Sequence, residues 1–347
     1  MIGAGAGSGI GRRIGAAAER LAARAMIRPR SPTADLYLVN ACGGWIGPDR
    51  PVARLGPGVF ASAETLVVVR NWGRAEALPR RRRVIWLIDD DIEAACADRS
   101  LRPGQRLKLA LFERRQGRRL LAAGAEVAVS SAALAERYRG RARVHLLRPH
   151  WSEPLAGLAH HAEAGPVRIG FLGSAVHGGD LAFLLPVLRE LLDRHPEAEL
   201  HLAANHRLGA LAGHPRLRPI RETSWQAYRA SLGARRLHIA LYPLRETPVN
   251  RARSVNKIIE HGVAGAAGVY SAGWPEAARV ARRGAGLVLP ERAGAWAEAV
   301  SGLIRDAAAR RALAARGRAL AADLNHPALL QDFWRHGFAL GPPNLIN

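Results

Sequence analysis

HIALYPLRETPVNRARSVNKIIEHGVAGAAGVYS, residues 238–271, reads as strand, irregular loop, short helix and strand. His238–Tyr242 and Gly268–Ser271 have the length and apolar content of buried strands, and Val255–Val263 carries helical spacing. The same alternation extends outward in both directions. Upstream lie Val167–Leu172 (strand), Leu181–Arg194 (helix), Glu199–Ala203 (strand) and Trp225–Leu232 (helix). Downstream lie Pro275–Arg282 (helix), Gly286–Leu289 (strand) and a long final helical region. Strands alternating with helices predict a parallel sheet covered on both faces. A second series occupies the first half: Leu36–Asn40, Leu66–Arg70, Val84–Ile88, Val127–Ser130 and Val144–Leu147 as strands, with helical spacing over Arg106–Ala123 and Ala132–Tyr138. The stretch His150–Gly165, with Pro154, Gly157 and two histidines, reads as a linker.

The chain is 347 residues long, about twice the ~150-residue domain prior, which suits two lobes. At 48% hydrophobic and 23% charged it is neither disordered nor fibrous. Two cysteines, Cys42 and Cys96, are too few for a disulfide framework, so a reducing, cytoplasmic setting is expected. No apolar run has the ~18 residues that span a bilayer. The net charge of +22 is spread evenly, with 27 basic and 15 acidic residues in 1–165 and 24 and 14 in 166–347. Such a chain attracts polyanions: nucleoside diphosphates, anionic lipid or nucleic acid. Nucleic acid is the least favoured, because aromatic residues are not interleaved with the basic clusters as stacking platforms. Only Lys108 and Lys257 are lysines; arginine supplies the other 49. In a chain so skewed to arginine, a surviving lysine marks a place where arginine would not serve.

Within 238–271, Ser254 can cap the short helix, whose N-terminus offers unpaired N–H groups and a positive dipole end. Asn250 and Ser254 add neutral hydrogen bonds; Arg253 and Lys257 add positive charge. Two cations near a helix N-terminus oppose its dipole unless an anion is bound, so the set reads as a diphosphate site. Glu260, six residues beyond Ser254, is placed to accept hydrogen bonds from both ribose hydroxyls. The bland alternative is a solvated amphipathic helix with Glu260 paired to a nearby arginine.

The series Asn250…Arg253-Ser254…Lys257…Glu260…Gly265…Ser271 resembles the donor segment of GT-B glycosyltransferases, particularly family-1/family-4-like bacterial enzymes of polysaccharide and glycan synthesis. Arg168-Ile-Gly-Phe-Leu-Gly173-Ser174-Ala-Val-His177-Gly-Gly-Asp180 looks like the opening of their nucleotide-sugar lobe, and Val84–Ile92 followed by Val127–Leu134 like their acceptor lobe. The resemblance runs from about 35 to 340. It implies an α/β fold with two doubly wound Rossmann-like lobes facing across a cleft. The expected layout is an Ala/Gly/Arg-rich leader (1–30), acceptor lobe (31–150), linker (151–165), donor lobe (166–330) and a terminal segment (331–347) packing back on the first lobe. The expected partners are a nucleotide-diphosphate sugar as donor substrate and a glycan, lipid-linked or small-molecule acceptor, with no cofactor. The resemblance places Gly173, Ser174, His177, Asp180, Asn250, Ser254 and Glu260 at the donor, and Lys257 and Arg253 at the departing diphosphate. It departs from the pattern at Ala252, where many family-4 enzymes carry a second glutamate, and at Gly265-Ala-Ala-Gly-Val.

Asp89-Asp90-Asp91 closes a buried strand, at the sheet edge where α/β sites lie. Asp89 and Asp91 are candidates for a catalytic base or acceptor binding; a second reading is the metal-binding Asp-x-Asp of GT-A glycosyltransferases, against which two lobes of similar size argue, and a third pairs these aspartates with Arg80–Arg83. Asp180 could instead cap a helix before Leu181. The arginine run 80–83 and the helix 106–119, with Leu107, Leu109, Leu111 and Phe112, could attract the anionic inner face of a membrane; the alternative is a solvated arginine-rich face. Thirteen histidines show no ligand spacing, so no zinc site is expected.

Two other functions compete. One is a non-catalytic nucleotide-sugar or polyanion binder with the same fold. The other is an NAD-dependent oxidoreductase built on Gly3–Gly11, where Gly7-Ser-Gly9-Ile-Gly11 resembles the cofactor turn of short-chain dehydrogenases. Only Met1 and Ile2 precede those glycines in this sequence, so no strand is expected to deliver the turn, and neither lysine has a tyrosine four residues before it.

Overall fold

The computed structural model describes residues 31–72, 80–99, 101, 103–173, 177–203, 208–221 and 224–341. The Gly3–Gly11 motif, the leader and Ser174 lie outside them. Described residues up to Leu147 and from Pro327 onward form one compact unit; Arg148–His326 form the other.

The first unit opens with a helical segment α1 (32–42) and continues through strands β1 (Ala53–Gly56), β2 (Val59–Ala61), β3 (Thr65–Val69) and β4 (Arg83–Ile88). Helices α2 (Ile92–Ala97) and α3 (103–122), strand β5 (Glu126–Val129), helix α4 (Ala132–Tyr138) and strand β6 (Val144–Leu146) follow. The sheet order is β1-β2-β3-β4-β5-β6. It is parallel from β3 to β6, with β1 and β2 joined antiparallel at one edge.

In the second unit, β7 (Val167–Phe171), α5 (Gly178–Arg194), β8 (Ala198–Ala203), β9 (Leu217–Ile220), α6 (Trp225–Leu232) and β10 (Ile239–Tyr242) come first. Then come α7 (Pro248–Arg251), α8 (Asn256–Ala264), β11 (Ala267–Ser271), α9 (Ala277–Arg282), β12 (Leu287–Leu289), α10 (Ala293–Arg305) and α11 (Ala307–Leu324). The sheet is wholly parallel, in the order β12-β11-β10-β7-β8-β9. Every residue of β10 and β11 is buried, as a sheet covered on both faces requires. Helix α5 buries Leu181, Leu184, Val187, Leu188, Leu191 and Leu192, a stripe at helical spacing against the sheet. Gly265, at φ +71°, ends α8 in the left-handed conformation that a Cβ disfavours. Because β7 has β8 on one side and β10 on the other, the strand order reverses between β7 and β10. That switch point is where α/β sheets place ligands, outside the strands' carboxyl ends.

The final helix α12 (Pro327–Gly337) belongs to the first unit. It explains the main departure from the sequence reading. Leu36–Asn40, expected as a strand, is part of α1. Pro32 takes the first helical position after Ser31. The carbonyls of Tyr37 and Ala41 then accept from Trp334 Nε1 at 2.6 Å and Gln331 Nε2 at 2.8 Å on α12. A five-residue apolar run has no period by which strand and buried helix can be told apart. Strands β1, β2 and β9 were not expected. The stretch 151–165 is no free linker: His160 and His161 donate from Nε2 to the carbonyls of Leu237 and Gly265, both at 2.9 Å.

Candidate functional site

At the switch point, β7 runs out through Leu172 to Gly173. A Cβ on Gly173 would lie 2.5 Å from the Phe171 ring and 3.1 Å from His177 Cβ, so only glycine lets the strand exit lie this close to the start of α5. His177 precedes α5, and its Nδ1 lies 2.8 Å from Asp180 Oδ2. Asp180 does not cap α5. Its other oxygen accepts from Arg245 N at 3.0 Å and Asn250 Nδ2 at 3.1 Å, and Asn250 Nδ2 also reaches Arg245 O at 2.9 Å. Asp180 and Asn250, both buried, thus satisfy each other and brace the 243–255 segment against α5. That segment is more ordered than the loop expected, because Thr247 caps α7 by accepting from Asn250 N at 3.2 Å. Burial, reinforced by Arg253 and Lys257, lowers the His177 pKa, while Asp180 works the other way. A neutral His177 donating from Nδ1 keeps Nε2 as an acceptor.

Ser254 Oγ accepts from Asn256 N at 3.3 Å, so it does occupy one amide at the start of α8, although the regular helix begins at Asn256. Lys257 lies in the first turn. Its Nζ donates to the Leu172 carbonyl at 2.6 Å, sits 5.9 Å from the Tyr242 ring centroid and forms an ion pair with Glu260 Oε2. The other oxygen, Oε1, accepts from Tyr228 Oη at 2.5 Å. Lys257 and Glu260 are three apart on one helix face, within reach of each other. The sequence reading sent them to different parts of a ligand; the structure joins them. Arg253 is half-buried, and its carbonyl accepts from Trp274 Nε1 at 3.2 Å.

Gly173, His177, Asp180, Asn250, Lys257 and Glu260 therefore converge on the carboxyl ends of β7 and β10. Asp89 and Asp91 belong to the other unit. Arg70 at the end of β3, at φ +59°, bonds Asp89 Oδ1 at 2.8 Å, Asp90 Oδ2 at 2.5 Å and Glu113 Oε2 at 2.9 Å. Thr33 donates to Asp89 Oδ2 at 2.8 Å. Burial raises the pKa of Glu113, and the neighbouring arginine opposes it. Asp91 caps α2 by accepting from Ala94 N at 2.9 Å and pairs with Arg137 at 2.6 Å. The partners are thus Arg70 and Arg137; from the run 80–83, Arg83 pairs instead with Glu126 at 2.7 Å. Since Asn also caps helices, Asp91→Asn should keep α2 and lose only the Arg137 pair, leaving any turnover within a few-fold. A loss beyond a hundredfold would restore Asp91 as a catalytic base.

Sequence reasoning missed Tyr228, Tyr242, Thr33 and Arg70. Trp225 and Tyr228, three apart on a helix, carried an aromatic signal, but nothing in the sequence aims them at Glu260. Among the described residues, no group of three or more His, Cys, Asp or Glu is placed to hold a metal ion, and no helix is long and apolar enough to cross a membrane.

No family model and no curated protein sequence matches the chain. Solved structures match it in fold. WaaG, a glycosyltransferase involved in lipopolysaccharide biosynthesis, aligns with a TM-score of 0.52 at 12% identity, over 75% of this chain and 78% of its own. HepE of Anabaena, solved with UDP and glucose, gives 0.50 at 13% identity, over 75% and 72%. A variant of TarM from S. aureus, in complex with fondaparinux, α-GlcNAc-glycerol and UDP, gives 0.53 at 8% identity, over 74% of this chain and 50% of its own.

Proposed function

We propose that this chain, whose fold is that of the GT-B glycosyltransferases, transfers a sugar from a nucleoside-diphosphate donor to a hydroxyl of a glycan, lipid-linked or small-molecule acceptor. The observation that carries the reading is the Lys257–Glu260 pair at the switch point between β7 and β10. A diphosphate beside α8 meets the helix N-terminus, Lys257 and Arg253, and Glu260 takes the ribose. In the transfer, the acceptor oxygen bonds the anomeric carbon as the bond from that carbon to the diphosphate oxygen breaks. Negative charge then grows on the leaving diphosphate, where fixed cations in a partly buried site act most strongly. In this reading Lys257 and Arg253 supply that charge without a metal ion. The acceptor proton goes to the departing diphosphate if configuration is retained. If it is inverted, a carboxylate base must take that proton.

Calorimetry with UDP, GDP, ADP and dTDP, followed by transfer from the matching labelled sugar donor, tests this. A diphosphate that binds without any transfer or hydrolysis would favour the non-catalytic binder, for which Ala252, buried where a second glutamate was expected, already speaks. Absence of binding by any of the four would sink both readings.

A lipid-linked acceptor would suit a membrane-docking face. Helix α3 exposes Leu107 and Leu111, by 59% and 40%, one turn apart. Arg106, Lys108, Arg114, Arg115, Arg118 and Arg119 accompany them, while Glu93 offsets one charge through Arg118 at 3.1 Å. Co-sedimentation with phosphatidylglycerol-containing vesicles is expected, weakened by salt and by Leu107→Ser with Leu111→Ser, and absent with phosphatidylcholine alone.

A further inference from the structure

Tyr228 lies on α6 and is only 7% exposed. Its ring stacks on Trp225 at 5.8 Å and 21°, and Trp225 meets the edge of Trp151 at 5.5 Å. Trp151 Nε1 in turn donates to Asn256 Oδ1 at 2.8 Å, at the first residue of α8. This aromatic wall therefore grips α8 at two points one turn apart, Asn256 and Glu260. At the second, the phenol donates to Glu260 Oε1 at 2.5 Å while Lys257 holds Oε2. A carboxylate has about four lone-pair sites, so two remain for a pair of ligand hydroxyls. Glu260 is buried to 3% exposure, and without the phenol Oε1 would have to turn onto Lys257 to be satisfied.

We infer that Tyr228 is a positioning residue of the donor site: its hydroxyl locks the Glu260 carboxylate in the orientation that receives the two ribose hydroxyls, with Lys257 held on the other carboxylate oxygen. The inference rests on the nucleotide reading of this site. Tyr228 acts through Glu260, so its effect is confined to ribose recognition and disappears when Glu260 can no longer carry it.

The test is a double-mutant cycle of Tyr228→Phe and Glu260→Gln, measured by calorimetry with three probes. These are the ribonucleoside diphosphate that binds wild type best, its 2′,3′-dideoxy analogue, and inorganic pyrophosphate. Phe keeps the ring between its neighbours, and melting temperatures confirm the fold. Tyr228→Phe is expected to weaken the ribonucleotide about tenfold or more, to leave the dideoxy analogue and pyrophosphate within about twofold, and to have no further effect on Glu260→Gln. Donor KM should rise with kcat nearly unchanged. Equal weakening of all three probes, no weakening of any, or a full effect in the Glu260→Gln background overturns the role of Tyr228. A wild type that does not itself prefer the ribonucleotide overturns the ribose assignment of Glu260 and the inference with it.

Discussion

Lys257→Ala is expected to lower kcat by two to three orders of magnitude while donor binding falls much less. The ammonium bonds the Leu172 carbonyl and Glu260 and lies over the Tyr242 ring, 5.9 Å from its centroid, so it is held before any ligand arrives. A preorganised charge interacts most strongly with the state in which the leaving diphosphate carries most charge, and removing such a group costs about a hundred- to a thousandfold. Lys257→Arg separates charge from shape. Lys257 is one of two lysines beside 49 arginines, and its side chain is only 13% exposed between the end of β7 and Glu260. A planar guanidinium has no room to repeat all three contacts of a compact ammonium, so Arg should recover little of the lost turnover. The measurement is kcat and KM for both variants with the best donor, beside melting temperatures. Normal turnover in Lys257→Arg would refute the shape argument; normal turnover in Lys257→Ala would remove the residue from the chemistry.

The second large effect is acid instability of the unit Arg148–His326. Burial pulls the pKa values of His161, His238 and His261 down, to about 4, about 3 and about 3. Arg310 pushes His161 and His238 the same way, and Lys257 pushes His261. All three are almost inaccessible. Because the folded values lie below the unfolded value near 6.5, the unfolded chain binds more protons. Stability is therefore complete well above pH 6.5 and is lost as pH falls through the window from about 6.5 to about 3. At pH 5 each histidine costs about 2 kcal/mol, so the three together cost about 6 kcal/mol, comparable to the whole stability of many domains. Denaturant midpoints at pH 7.5 and pH 5 should differ sharply, with activity following below pH 6. Equal midpoints would mean that these imidazoles titrate in the folded chain as they do in the unfolded one. Below about pH 4.5 the other unit joins in, because the unfolded chain takes up a proton on Glu126 while the folded one, with Arg83 and His145 holding that carboxyl near 2, does not.

The sequence by itself determined the alternation of strands and helices, and with it two Rossmann-like α/β units. Residues of the second unit's sheet announce themselves because strands buried on both faces are continuous apolar runs. The segment 238–271 also marked the candidate site, since Lys257 and Glu260 stand three apart on one short helix after a strand end. Local chemistry suffices for such features. Tertiary structure alone decided the rest. Leu36–Asn40 is helical where α12, some 290 residues away in sequence, packs on α1 and supplies donors to the carbonyls of Tyr37 and Ala41. Asp91 became a cap paired to Arg137, and Asp180 a brace for the 243–255 segment, because a carboxylate takes whichever donors the fold brings within 3 Å. Tyr228 could not be found from its neighbours in sequence: it lies 32 residues from Glu260, on a different helix. Its phenol becomes part of the site only when the packing of α6 against α8 sets the two side chains together.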